Sequence, residues 1–127
     1  MTQPSEGQFC WNELATPDAQ KAKEFYSKVF GWQFKDHKMD QMTYSIAESK
    51  EQGFAGIWDI PSEQQKHIPP HWMSYIMVDD IVSILNKAKQ HGAKELKGVT
   101  SAGDMGRFVI ISDPTGAHIA MWKPASK

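Results

Sequence analysis

Apolar positions recur along this chain in two rhythms, one of period two and one near 3.6. Phe9 to Leu14 alternates, with Phe9, Trp11 and Glu13 on one face and Cys10, Asn12 and Leu14 on the other, as a half-buried strand does. The rhythm then changes. Thr16 or Asp18 can cap a helix, Pro17 suits a first turn, and Ala22, Phe25, Tyr26, Val29 and Phe30 fall on one helical stripe. The pattern predicts a helix over Pro17–Phe30, stopped by Gly31, with a strand restarting at Trp32-Gln33-Phe34.

The same order returns between Trp72 and Leu96. Trp11 and Trp72, Asp18 and Asp79, and Gly31 and Gly92 each stand 61 positions apart. Tyr44–Trp58 overlays Phe108–Trp122 with an offset of 64. Two matched frames imply an internal duplication, which decides the architecture before any single motif does.

Between these frames, Asp36 to Gln41 reads as a charged turn, Met42 to Ser49 as a strand, Lys50 to Gly53 as a turn and Phe54 to Ile60 as a strand. A polar, proline-bounded linker covers 61–70. The second half predicts a helix over Asp79–His91 capped by Asp79 or Asp80. Its strands fall at Lys94–Val99, Phe108–Ser112 and Ala117–Lys123, with an Asp113-Pro114-Thr115-Gly116 turn before the last. The order is βαβββ twice: module one at 9–60, module two at 71–124, in a single domain. Class and order together predict an α+β fold of two tandem modules in a curled, eight-stranded, half-barrel-type mixed sheet with outer helices.

Composition narrows the function classes. A 127-residue chain with 40% hydrophobic residues can fold as one domain. With 14 Lys+Arg against 15 Asp+Glu and no basic stripe, nucleic acid is not an expected partner. The single cysteine, Cys10, excludes an internal disulfide and fits a reducing, cytoplasmic compartment. Neither an export signal nor a membrane-length apolar run is visible.

The strand–Asp–helix opening with Phe25-Tyr26 and Phe30-Gly31, its repeat after a linker, and the late Asp113–Gly116 turn resemble the vicinal oxygen chelate superfamily. This is the glyoxalase, bleomycin-resistance and extradiol dioxygenase group, and the likeness covers Phe9 to Pro124. It implies modules that curl around a ligand cleft. Metal-dependent members bring four ligands, usually His and Glu, and the resemblance places those positions at Trp11, Gly56, Met73 and Ala120. None offers a hard donor to a divalent cation. The resemblance therefore implies a metal-free branch with no metal cofactor. Strand parity leaves one displaced possibility, a triad of Glu13, His71 and His118, while His37, His67 and His91 read as solvated surface.

By the same parity the cleft receives Trp11, Glu13, Phe54, Trp58, Met73, Tyr75, Met77, His118 and Trp122. Aromatic walls with few polar groups suit a small-molecule pocket, although Trp and Met equally fill cores. Arg107, the only arginine, is expected to pair with Glu13 or with a ligand carboxylate. Cys10 has the wrong parity for the cleft and reads as an inert thiol.

Two functions follow as expectations. One is a glyoxalase-like, non-enzymatic binding protein for a flat apolar or cationic small molecule. The other is a metal-independent lyase or isomerase with Glu13 as general acid–base. A homodimer is expected because Phe25, Tyr26, Val29 and Phe30 form a wider apolar face than one sheet contact needs.

Overall fold

The computed structural model describes residues 4–39 and 42–125. They form eight strands and two α-helices in two compact units. One unit spans Trp11–Met73; the other joins residues 4–10 to residues 74–125. Among the described residues, no helix is long and apolar enough to cross a membrane.

The first unit contains β1 (Phe9–Thr16) from Trp11 onward, α1 (Ala19–Phe30), β2 (Gln33–Met39), β3 (Met42–Ser49) and β4 (Gln52–Asp59). Its strands lie in the order β2-β3-β4-β1, with β1 parallel to β4 and the other neighbours antiparallel. A parallel pair needs a crossover, and α1 supplies part of it. Asp18 caps α1 by accepting from Lys21 N at 3.0 Å, and Asp59, at the end of β4, accepts from Ala19 N at 2.7 Å. Two carboxylates thus satisfy amides at the positive end of one helix. At the other end Gly31 takes φ 77°, and its N–H returns to Ser27 O.

On the α1 face of this sheet, Leu14, Ala19 and Ile57 form the core, with Ala22, Tyr26 and Phe34 packed around them. Ser45 is buried on that side and donates to Asp36 at 2.6 Å, while Lys23 of α1 reaches Asp36 at 3.2 Å. The Ser45 hydroxyl chiefly, with Lys23 in support, holds the Asp36 carboxyl below the usual range against the opposing effect of burial. The sequence expects Asp36 and His37 in a turn; both lie in β2 instead, while residues 40–41 fall outside the described ones. The reason is that β2 is an edge strand, whose polar residues face water or, as Asp36 does, find a partner on β3.

The second unit repeats the plan. Its strands are β5 (His71–Met77) from Ser74 onward, β6 (Lys94–Ser101), β7 (Gly106–Ser112) and β8 (His118–Pro124), with α2 at Ile81–Gln90. The order is β5-β8-β7-β6, with β5 parallel to β8. Val78, Ile81, Leu85, Val109, Ile111 and Met121 make its core. Asp80, not Asp79, caps α2 by accepting from Ser83 N at 3.1 Å.

The two βαβββ units match residue for residue across their sheets. Tyr44 stands opposite Trp58 as Phe108 does opposite Trp122, and Ile46 opposite Gly56 as Ile110 does opposite Ala120. These pairs bear out the offset of 64. The offset of 61 needs correction in the first strands. Glu13 stands beside Gly56 and Tyr75 beside Ala120, so the strand offset is 62, as it is for the caps Asp18 and Asp80. Met73, rather than Trp72, is therefore the counterpart of Trp11. A one-residue slip in a strand moves every side chain to the other face, and the tryptophan echo conceals that slip.

Removing either helix cap, by Asp18→Ala or Asp80→Ala, should lower stability by about 1 kcal/mol in urea unfolding with an unchanged slope. Asp59→Ala should cost a similar amount, although Asp59 lies in a strand, because it too binds an amide at the start of α1.

Candidate ligand site on the sheet face of the first unit

The face of the first sheet turned away from α1 carries the residues that can do chemistry. Register places Ile46, Gly56 and Glu13 in one row across β3, β4 and β1. The next row holds His37, Tyr44, Trp58 and Ala15 across β2, β3, β4 and β1. Trp11 shares the parity of Glu13.

Tyr44 joins these residues into a chain of hydrogen bonds. Its hydroxyl donates to Glu13 Oε2 at 2.7 Å and accepts from Trp11 Nε1 at 2.9 Å. Burial first, and the adjacent Glu13 carboxylate second, push the Tyr44 phenol far above its ordinary value. Gly56 makes the arrangement possible, because a Cβ there would overlap the Tyr44 hydroxyl and ring. The phenol fills the volume that a side chain at position 56 would take.

Tyr44 is absent from the residues that sequence reasoning assigns to the site. The available signal was Gly56 itself: a glycine inside a strand marks a place where another group comes close. Which group comes close depends on cross-strand register, and that is not written in local sequence.

The other expected site residues fall into separate groups. Phe54 does not face Glu13. Its ring lies 4.8 Å from Trp32, which stacks on Tyr26 of α1 at 4.8 Å. A register shift between Ala47 and Glu48, opposite this part of β4, breaks the alternation that predicted otherwise. In the second unit Tyr75, Met77, His118 and Trp122 share one face, as expected, with Phe108 added to it 6.4 Å from Tyr75 between ring centres. Tyr75 is buried and His118 exposed. Arg107 lies on the opposite parity, level with Lys123 and Ser101, so it is absent from that face. The partner of Glu13 shown here is Tyr44. Met73 is buried, and Trp72 donates from Nε1 to Tyr26 Oη at 3.1 Å.

Trp11, Gly56, Met73 and Ala120, the positions that the resemblance assigns to metal ligands, offer no hard donor to a divalent cation. The Trp11 indole is a donor only, Gly56 has no side chain and its space holds Tyr44, and Met73 and Ala120 are buried apolar groups. Among the described residues, no three His, Cys, Asp or Glu side chains gather as a metal would require. His71, expected in a displaced triad, has Nδ1 2.8 Å from Pro69 O. His37 belongs to β2 opposite Tyr44 rather than to a turn, and His67 and His91 are exposed. The Cys10 thiol lies 3.5 Å from Tyr75 O, and burial pushes its pKa up, which disfavours the thiolate.

Paired βαβββ units of this kind define a protein of the vicinal oxygen chelate class. The sequence profile of the Glyoxalase/Bleomycin resistance protein/Dioxygenase superfamily matches residues 8–121, and the chain belongs to that superfamily. A Mycobacterium bovis protein named "Putative glyoxylase CFP32" is 34% identical over 115 residues, covering 89% of this chain and 44% of its own length. The anthracycline biosynthesis protein DnrV of Streptomyces peucetius is 24% identical over 135 residues, covering 97% of this chain and 49% of its own. The chain thus spans about half the length of these relatives. Among solved structures, the Bacillus halodurans protein BH1468 aligns with a TM-score of 0.74 at 9% identity, over 97% of this chain and 98% of its own. Methylmalonyl-CoA epimerase from Mycobacterium tuberculosis aligns at 0.68 and 15% identity, over 99% and 94%. At such identities these likenesses show the fold.

Tyr44 should remain neutral when ordinary tyrosines ionise. Its folded pKa is raised, so its contribution to stability is complete below the unfolded value near 10 and is lost only as pH rises beyond it. Wild type and Tyr44→Phe should therefore show the same tyrosinate absorbance up to about pH 11, and part from each other only on alkaline unfolding. A larger wild-type rise below that pH would show that Tyr44 is not held as described.

Proposed function

We propose that this protein binds a small, flat organic molecule, apolar or cationic, against the sheet face that carries Trp11, Tyr44, Glu13 and Trp58. The observation that carries this reading is the Trp11–Tyr44–Glu13 chain of hydrogen bonds. It holds a carboxylate and an indole in fixed positions on a face not used by the helix core. Aromatic surface with a few fixed polar groups is how small-molecule sites are built, and an aromatic face attracts a cation by about 0.5–2 kcal/mol per contact. The name of DnrV, a relative in anthracycline biosynthesis, makes an anthracycline a reasonable first probe.

A second reading rests on the 2.7 Å bond between Tyr44 and Glu13. The same pair can move a proton on a carbonyl-type substrate, with Glu13 as general base and Tyr44 keeping it in place. This reading needs no metal. The name glyoxylase borne by the mycobacterial relative favours it.

The exposed α1 residues Phe25, Val29 and Phe30 suit a homodimer contact. Cys10, the single thiol, agrees with a reducing, cytoplasmic setting.

Titration of tryptophan fluorescence with an anthracycline and with an aromatic cation should give saturable binding. Trp11→Ala should weaken it about 2- to 30-fold, the equivalent of one lost aromatic contact. Tyr44→Phe, which keeps the ring, should weaken it without unfolding the protein. If Trp11→Ala instead costs the 3–5 kcal/mol of a truncated core tryptophan and Tyr44→Phe binds normally, the face is core and the proposal fails. Glu13→Gln separates the readings: binding retained with turnover of an aldehyde adduct lost indicates the enzyme. Light scattering at micromolar concentration should give twice 14.4 kDa, and Phe30→Ser should return the monomer mass.

A further inference from the structure

We propose that the second unit carries a separate site for a phosphate group, built by Arg107, Lys123 and Ser101 at the ends of β7, β8 and β6. Arg107 stands opposite Lys123 on one side and opposite Ser101 on the other, so the three side chains form one row across three strands. They line a cavity of about 220 Å³ together with Gly103, Asp104 and Pro124. This row has the opposite parity to Tyr75 and Trp122, so the site is distinct from the aromatic face and stands or falls independently of it.

Two cations placed directly opposite each other across a sheet repel. Here neither makes an ion pair among the described residues, where Lys23–Asp36, Lys35–Glu48 and Lys89–Glu95 are the pairs formed. Among the described residues, Lys123 Nζ donates to Pro124 O, at 3.3 Å. An anion is the group that relieves the repulsion. A guanidinium fork, an ammonium and a hydroxyl lining one cavity from three strands suit the several oxygens of a phosphate. Asp104 in the same lining leaves one net positive charge.

The site is also held in shape. Ala102 N bonds Gly106 O at 2.9 Å, Met105 N bonds Ala102 O at 3.0 Å, and Ala125 N bonds Met105 O at 2.9 Å. Gly106 takes φ 154°, and a Cβ there would overlap Lys123 O, so only glycine lets the loop lie so close to β8.

The test is amide chemical-shift titration with inorganic phosphate, at constant ionic strength against chloride. Saturable shifts are expected at 101–107 and 123–125, together with a rise in Tm. Arg107→Gln should weaken binding at least about tenfold, as loss of a charge-assisted pair does, and Arg107→Lys should fall between it and wild type. Without phosphate, Arg107→Gln should melt no lower than wild type, because it removes a repulsion. Running glycerol phosphate in parallel identifies the source: a tighter ester assigns the site to a phosphorylated ligand, a tighter free ion to phosphate itself. Shifts that do not saturate, or an Arg107→Gln protein that binds as wild type does, would overturn the proposal.

Discussion

The parallel contact between the first and last strand of each module governs everything else. β1 lies beside β4, and β5 beside β8. A parallel pair cannot be closed by a tight turn, so the chain must travel through a helix and two further strands before it returns. That path buries one sheet face under the helix and leaves the other without a helix of its own. The helix faces are apolar in both units: Leu14 and Ile57 in one, Val109, Ile111 and Met121 in the other. Asp59 shows how closely helix and sheet are tied, since one carboxylate ends β4 and also binds the first turn of α1.

Within that shared frame the two modules have diverged in polarity. Glu13, Tyr44 and Trp58 of the first correspond to Tyr75, Phe108 and Trp122 of the second. The first set carries a carboxylate and a phenol in direct hydrogen bond; the second places an aromatic ring at each matching position. The duplication thus keeps the strand pairing at these positions while the carboxylate stands in one copy alone. The space beside Gly56 belongs to the Tyr44 phenol, and the Trp11 indole points its N–H at the same oxygen.

Much of this was legible in the sequence because it rests on period and on local chemistry. Alternation at Phe9–Leu14 and Gly31 as helix stop are local rules that the structure follows, and of the two caps the sequence allows, Asp18 is the one used. Of the Ala22–Phe30 stripe only Ala22 and Tyr26 pack against the core, while Phe25, Val29 and Phe30 stay exposed. The repeat of the βαβββ order also came from the sequence, since a duplicated pattern is a one-dimensional property. What tertiary structure decided was register. The first-strand offset of 62 instead of 61, the irregularity that takes Phe54 to Trp32, and the parity that separates Arg107 from Trp122 each turn on a shift of one residue between neighbouring strands. Such a shift leaves the hydrophobic pattern of each strand unchanged while it reverses which side chains meet. For that reason the sequence could name Glu13 and Trp11, yet only the assembled sheet could place the Tyr44 hydroxyl between them.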